Sequence, residues 1–175
     1  MASRPKYSIA EVERRWLVEP DALGAFEGKP YFEIEDLYIA GTQLRLRKIE
    51  RAGSPAMFKL CKKYGKANAL SEAITNLYLS EAEYRLLVKQ LSGNTLRKRR
   101  YPVAGGALDI YPDSRLAAMF EIEFQSEAEA RSYEPPPFAR QEVTDNEAYA
   151  GAALAAVVCR RTPKLGSNYA DAGFP

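Results

Sequence analysis

Residues 7–18, YSIAEVERRWLV, alternate with a period of two. Ile9, Val12, Trp16 and Val18 supply apolar positions, while Glu11, Glu13 and Arg15 share the other face. A strand is the expected conformation. Residues i and i+2 of a strand project the same way, so two carboxylates and one guanidinium point together.

The same device recurs downstream. Arg45 and Arg47 sit in LRLR (44–47), Lys98 and Arg100 in TLRKRRYPV (95–103), and Glu121 and Glu123 in AAMFEIEF (117–124). Asp109 adds a single carboxylate in ALDIY (107–111). The intervening Val12, Leu44, Leu46, Phe120, Ile122 and Phe124 are apolar and need a covering layer; Arg14 and Arg99 are exceptions on that side. A charged wet face is ordinary for a half-solvated antiparallel sheet. Such faces usually mix polar residues with both charge signs, however, whereas here each strand doubles one sign, with Arg15 following the acidic pair on the first.

The remaining chain reads as short elements joined by turns. A helical stretch spans 20–26, a strand 31–39, and Gly41-Thr42 turns the chain into the LRLR segment. A hairpin loop at 51–55 leads to a strand at 57–63, with Lys59, Cys61 and Lys63 on one side. A polar loop covers 64–69 and a strand 74–79. Ser80 and Glu83 form a capping box for a helix through Leu91, which Gly93-Asn94 ends. Ser126 and Glu129 repeat the capping pattern, Pro135–Pro137 mark a rigid loop, and Val143-Thr144 close a last strand. The Ala-rich stretch 147–160 is helical, and from Thr162 the composition is that of a frayed tail. Short connections between strands give an α+β class with a large antiparallel sheet. Residues 1–160 form one domain and 161–175 a flexible C-terminal tail.

Composition narrows the chemistry. The 175 residues hold 25 Lys+Arg, 23 Asp+Glu, two cysteines and no histidine. Histidine-dependent triads, His-ligated zinc and imidazole bases are therefore excluded. Two distant cysteines make no disulfide framework, so a reduced, cytoplasmic setting is expected. No apolar run approaches the ~18–20 residues of a membrane span, so no membrane partner is expected. Acidic pairs suit a hard cation such as Mg²⁺ or Mn²⁺, and basic pairs suit an anion with several phosphates. Together they fit phosphoryl transfer, which runs on positioning and charge neutralisation.

Glu11-Val12-Glu13-Arg14-Arg15-Trp16-Leu17-Val18 resembles the N-terminal ExExK strand of the CYTH family, the triphosphate tunnel metalloenzymes. Leu44–Arg47, Lys98–Tyr101, Leu108–Ile110, Glu121–Glu123, and Pro136–Phe138 with Glu142–Thr144 follow in the family's order, so that the resemblance covers about 7–155. It implies an eight-stranded antiparallel β-barrel, open as a tunnel, with charges inside and helices packed outside. Residue by residue, it implies Glu11, Glu13, Asp109, Glu121 and Glu123 as metal ligands. Arg15, Arg45, Arg47, Lys59, Lys63, Lys98 and Arg100 would bind substrate, and Glu11, Glu13 and Arg15 are the catalytic motif.

The implied activity is divalent-metal-dependent hydrolysis of the terminal phosphate of tripolyphosphate or a small organic triphosphate, such as thiamine triphosphate or a nucleotide. Two departures bear on turnover. Arg15 replaces the motif's lysine, and the fourth strand carries Ile74 and Asn76 where the family has glutamates. A tunnel that binds nucleotide or polyphosphate without turnover, or a cyclase, is the alternative. Nucleic-acid binding through 97–101 ranks last, because glutamates on the same sheet repel a duplex. Trp16 and the tyrosines are expected between barrel and helices, and Cys61 as a small interior filler. Oligomeric state is not legible.

Overall fold

The computed structural model describes residues 5–66, 68–114, 116 and 118–161. The tail expected at 161–175 lies outside the described residues from Thr162 onward. Strands β1 (Ile9–Val18), β2 (Phe32–Ile39), β3 (Leu44–Glu50), β4 (Met57–Lys66) and β5 (Ser71–Leu79) precede helix α1 (Glu81–Gln90). Then come β6 (Gly93–Val103), β7 (Gly106–Ile110), β8 (Ala118–Phe124), α2 (Glu127–Ser132), β9 (Ala139–Glu142) and α3 (Gly151–Arg161). Two 3-10 turns, Pro20–Phe26 and Glu147–Tyr149, complete the set.

The strands run β5-β4-β3-β2-β6-β7-β8-β1, and β1 pairs back to β5, closing an antiparallel barrel of eight. β1 manages both neighbours by length. Ile9–Val12 pair with β5, Val12–Leu17 pair with β8, and its last residues also hold the short β9. Closure leaves no open edge in the eight-stranded ring.

Register places the charges. Glu11 lies opposite Glu72, Glu13 opposite Glu123 and Arg15 opposite Glu121. Asp36 lies opposite Arg47, Arg45 opposite Cys61, and Arg100 opposite Asp109. Directly opposed residues share a face, so all of these side chains turn into one interior. The alternate residues face out and pack. Trp16, Phe120 and Phe124 join Phe26, Tyr101 and Ala130 in one buried cluster, with Tyr133 and Phe138 against it. Leu46, Phe58 and Tyr84 of α1 form a second. The apolar layer under the helices is where the alternation required it.

Several boundaries differ from the sequence reading. The helical stretch at 20–26 is a 3-10 turn, and 147–160 splits into a 3-10 turn and α3, with Ala150 in extended backbone between them. The last strand is Ala139–Glu142, just before Val143-Thr144. β4 continues to Lys66, and β5 starts at Ser71 rather than at residue 74. Ser71-Glu72-Ala73 shows no apolar alternation; it is extended because β1 needs a partner there to close the barrel. Gly93 already belongs to β6. A Cβ there would stand 2.0 Å from the Tyr38 carbonyl oxygen, so only glycine lets β6 pair closely with the end of β2. The α1 capping box is present as expected, Glu83 N–H donating to Ser80 Oγ and Ser80 N–H to the Glu83 carboxylate.

Candidate active site

The barrel encloses a cavity of about 560 Å³. Glu11, Glu13, Arg15, Arg45, Arg47, Lys63, Lys98, Arg100, Glu121 and Glu123 all line it, so ten of the twelve residues singled out above meet in one space. The other two stand elsewhere. Lys59 is outside the lining, its ammonium 5.0 Å from the Tyr78 ring centre. Asp109 is completely buried behind Lys98 and Arg100.

Each basic pair rests on a buried aspartate. Asp109 accepts from Lys98 Nζ, and from Arg100 Nε at 2.7 Å and Nη2 at 2.6 Å. Asp36, equally buried, accepts from Arg47 Nε at 2.6 Å and Nη2 at 2.8 Å, and Arg45 Nε stands 3.5 Å away. Burial opposes ionisation of Asp36, but Arg47 and Arg45 overcome it and hold the carboxyl below the usual range. Burial also opposes the charge on Arg45 and Arg100, and the aspartates reverse this, so both guanidiniums stay firmly protonated. The aspartates keep the guanidiniums charged and aimed, whereas burial and the neighbouring Arg100 push the Lys98 ammonium down despite Asp109. Both aspartates have their oxygens committed to protein cations, which makes them anchors.

The acidic wall is built differently. Lys63 Nζ lies 2.7 Å from Glu11, 3.1 Å from Glu72 and 4.0 Å from Glu13. It therefore belongs with the carboxylates, although the resemblance implied a substrate-binding lysine. Burial lowers its affinity for a proton, but Glu13 and Glu11 raise it more. Glu13 shows the opposite balance: burial, with Glu121 and Glu11 nearby, pushes its carboxyl up despite Lys63. Glu121 stays well below the usual range because Lys98, Arg100 and Arg15 outweigh its burial. Arg100 also donates to Glu121, so this glutamate joins the two walls.

A divalent cation fits the donor chemistry: Glu11, Glu13 and Glu123 offer only carboxylate oxygen, and Glu13 has an ionised form that an added cation would favour. Among the described residues, no three His, Cys, Asp or Glu side chains already stand as a metal-binding group, and Lys63 donates to Glu11 at 2.7 Å.

Sequence reasoning missed Asp36, Glu72, Lys66 and Glu147. Asp36 was legible: it shares a strand face with Tyr38, against Glu33 and Glu35, once the inward face of 31–39 is known. Glu72 was hidden because its strand begins three residues before the β-branched run. It supplies a cavity carboxylate on the very strand where Ile74 and Asn76 seemed to remove them.

The chain is similar to three solved structures. One is the inorganic triphosphatase NE1496, at 24% identity and TM-score 0.48, covering 83% of this chain and 97% of that one. A second structure of NE1496, described there as a hypothetical protein, matches at 23% identity and TM-score 0.47, covering 83% and 96%. PH1012 from Pyrococcus horikoshii OT3 matches at 19% identity and TM-score 0.47, covering 69% and 83%. No family model and no curated protein matches the chain.

Proposed function

We propose that the chain is a divalent-metal-dependent phosphohydrolase that removes the terminal phosphate of tripolyphosphate or a small organic triphosphate. One observation carries this reading: one cavity inside the barrel has a basic wall of Arg45, Arg47, Lys98 and Arg100 and an acidic wall of Glu11, Glu13 and Glu123. A polyanion satisfies the first wall, and a cation that travels with polyphosphate satisfies the second. Mg²⁺ or Mn²⁺, held by Glu11, Glu13 and Glu123, would neutralise charge and orient phosphate oxygens. The name of NE1496, an inorganic triphosphatase, agrees with this reading.

The protein's own residues supply the rest. Arg45 and Arg47 offer planar forks to phosphate oxygens, and Asp36 fixes the Arg47 fork before substrate arrives. Lys98 and Arg100, on β6 across β2 from β3, add an ammonium and a further guanidinium, both held by Asp109. As water adds to the terminal phosphorus and the bridging P–O bond breaks, the charge developing on the departing diphosphate would meet these preorganised cations. Among the described residues no helix is long and apolar enough to cross a membrane. Cys61 and Cys159 are free thiols.

Calorimetric titration of tripolyphosphate into the protein tests the reading. Arg47→Ala is expected to weaken Kd by about tenfold or more, equivalent to ~1.4 kcal/mol. Equal binding by the variant and the parent overturns it.

A further inference from the structure

We infer that Arg15 is a positioning residue that fastens the 144–150 connection, and through it α3, as one end wall of the cavity. Its side chain is almost fully buried, and both terminal nitrogens are committed to main-chain oxygens: Nη1 to Tyr149 at 3.1 Å and Nη2 to Thr144 at 3.1 Å. Only Nε is left, and its nearest carboxylate is Glu13 at 3.8 Å. The Arg15 main chain grips the same segment, its N–H donating to Thr144 Oγ1 at 3.0 Å and its carbonyl accepting from Val143 at 2.8 Å.

The segment held in this way carries the wall. Ala150, Gly151 and Ala152 line the cavity, and Leu154 and Ala155 are buried with Leu96, Tyr111 and Met119. Gly151 lies so close to β2 that a Cβ would stand 1.9 Å from the Tyr38 hydroxyl. Lys66 adds a second fastening, Nζ donating to the Thr144 carbonyl at 3.0 Å and pairing with Glu147 at 3.1 Å. This explains arginine at a position where the resembled motif has lysine. The guanidinium reaches the two carbonyls, five residues apart, with two separate nitrogens on one rigid plane, a geometry that a single ammonium nitrogen does not reproduce.

Hydrogen exchange with mass spectrometry on Arg15→Lys and Arg15→Gln tests the inference, alongside tripolyphosphate titration. Peptides covering 145–158 are expected to exchange about tenfold faster in both variants, while β2, β3 and β4 keep parental rates. Arg15→Lys, which retains the charge but not the two-carbonyl grip, is expected to weaken tripolyphosphate binding less than Arg15→Gln. Unchanged exchange in 145–158 overturns the inference, as does faster exchange spread over every strand. If either variant fails to fold, Lys66→Met carries the test through the same peptides, with unchanged exchange again the contrary result. Only the titration rests on the proposed function. A parent protein that binds no tripolyphosphate sinks that reading and leaves the exchange result to decide the place of Arg15.

Discussion

Asp36 and Arg47 form a two-point ion pair inside the barrel, Nε to Oδ1 at 2.6 Å and Nη2 to Oδ2 at 2.8 Å, with the aspartate fully buried. Asp36→Asn removes the charge and leaves Arg45 and Arg47 facing each other in a poorly hydrated space. The expected cost is ~3–5 kcal/mol, as for other broken buried pairs, read by urea unfolding at neutral pH.

The same pair sets an acid limb. The Asp36 carboxyl is held below its ordinary 3.8, so its stabilising contribution is fully present above 3.8. That contribution disappears as pH falls through the lowered folded value, because the unfolded chain then binds the proton more readily. Asp36→Asn is expected to flatten the stability profile below about pH 4 relative to the parent. Parallel profiles would show that other carboxylates carry the acid transition.

Lys63 sits among the carboxylates of Glu11, Glu13 and Glu72, two of which the proposed cation would need. Lys63→Met is expected to lower Tm in the absence of divalent ions and to give a larger rise in Tm on adding Mn²⁺ than the parent shows. A variant indifferent to Mn²⁺ would argue against Glu11 as a ligand.

Gly93→Ala is expected to destabilise the barrel by ~3 kcal/mol or more, since the obstacle is the main-chain oxygen of Tyr38 and cannot rotate away. Ser80→Ala, which removes a cap on an exposed helix start, is expected to cost only ~1 kcal/mol. Chemical denaturation of the two variants separates a close-approach glycine from an ordinary cap.

The ordered like-charge pairs made the charged face of the sheet legible, because period-two alternation fixes which residues share a face whatever the strand's neighbours are; closure into a barrel came only from the family resemblance. Glu11 with Glu13, Arg45 with Arg47, and Lys98 with Arg100 came together for that reason. The exceptions share a cause as well. Ser71–Ala73 and Gly93 are strands by pairing and not by composition. Asp109 and Lys63 fell on the expected face, but depth and the nearest opposite charge decide what a side chain touches. Sequence spacing carries neither. The same holds for Arg15, whose partners lie on a loop over a hundred residues away in the chain.

Turnover of tripolyphosphate followed by phosphorus NMR, with and without Mg²⁺ or Mn²⁺ and with Glu13→Gln as control, tests the proposed function most directly. The expected result is release of orthophosphate and pyrophosphate in equal amounts, dependent on the ion and lost in Glu13→Gln. Tight binding with no release under any of these conditions would contradict catalysis and leave a binding protein; no binding at all would contradict the cavity's assignment to triphosphates.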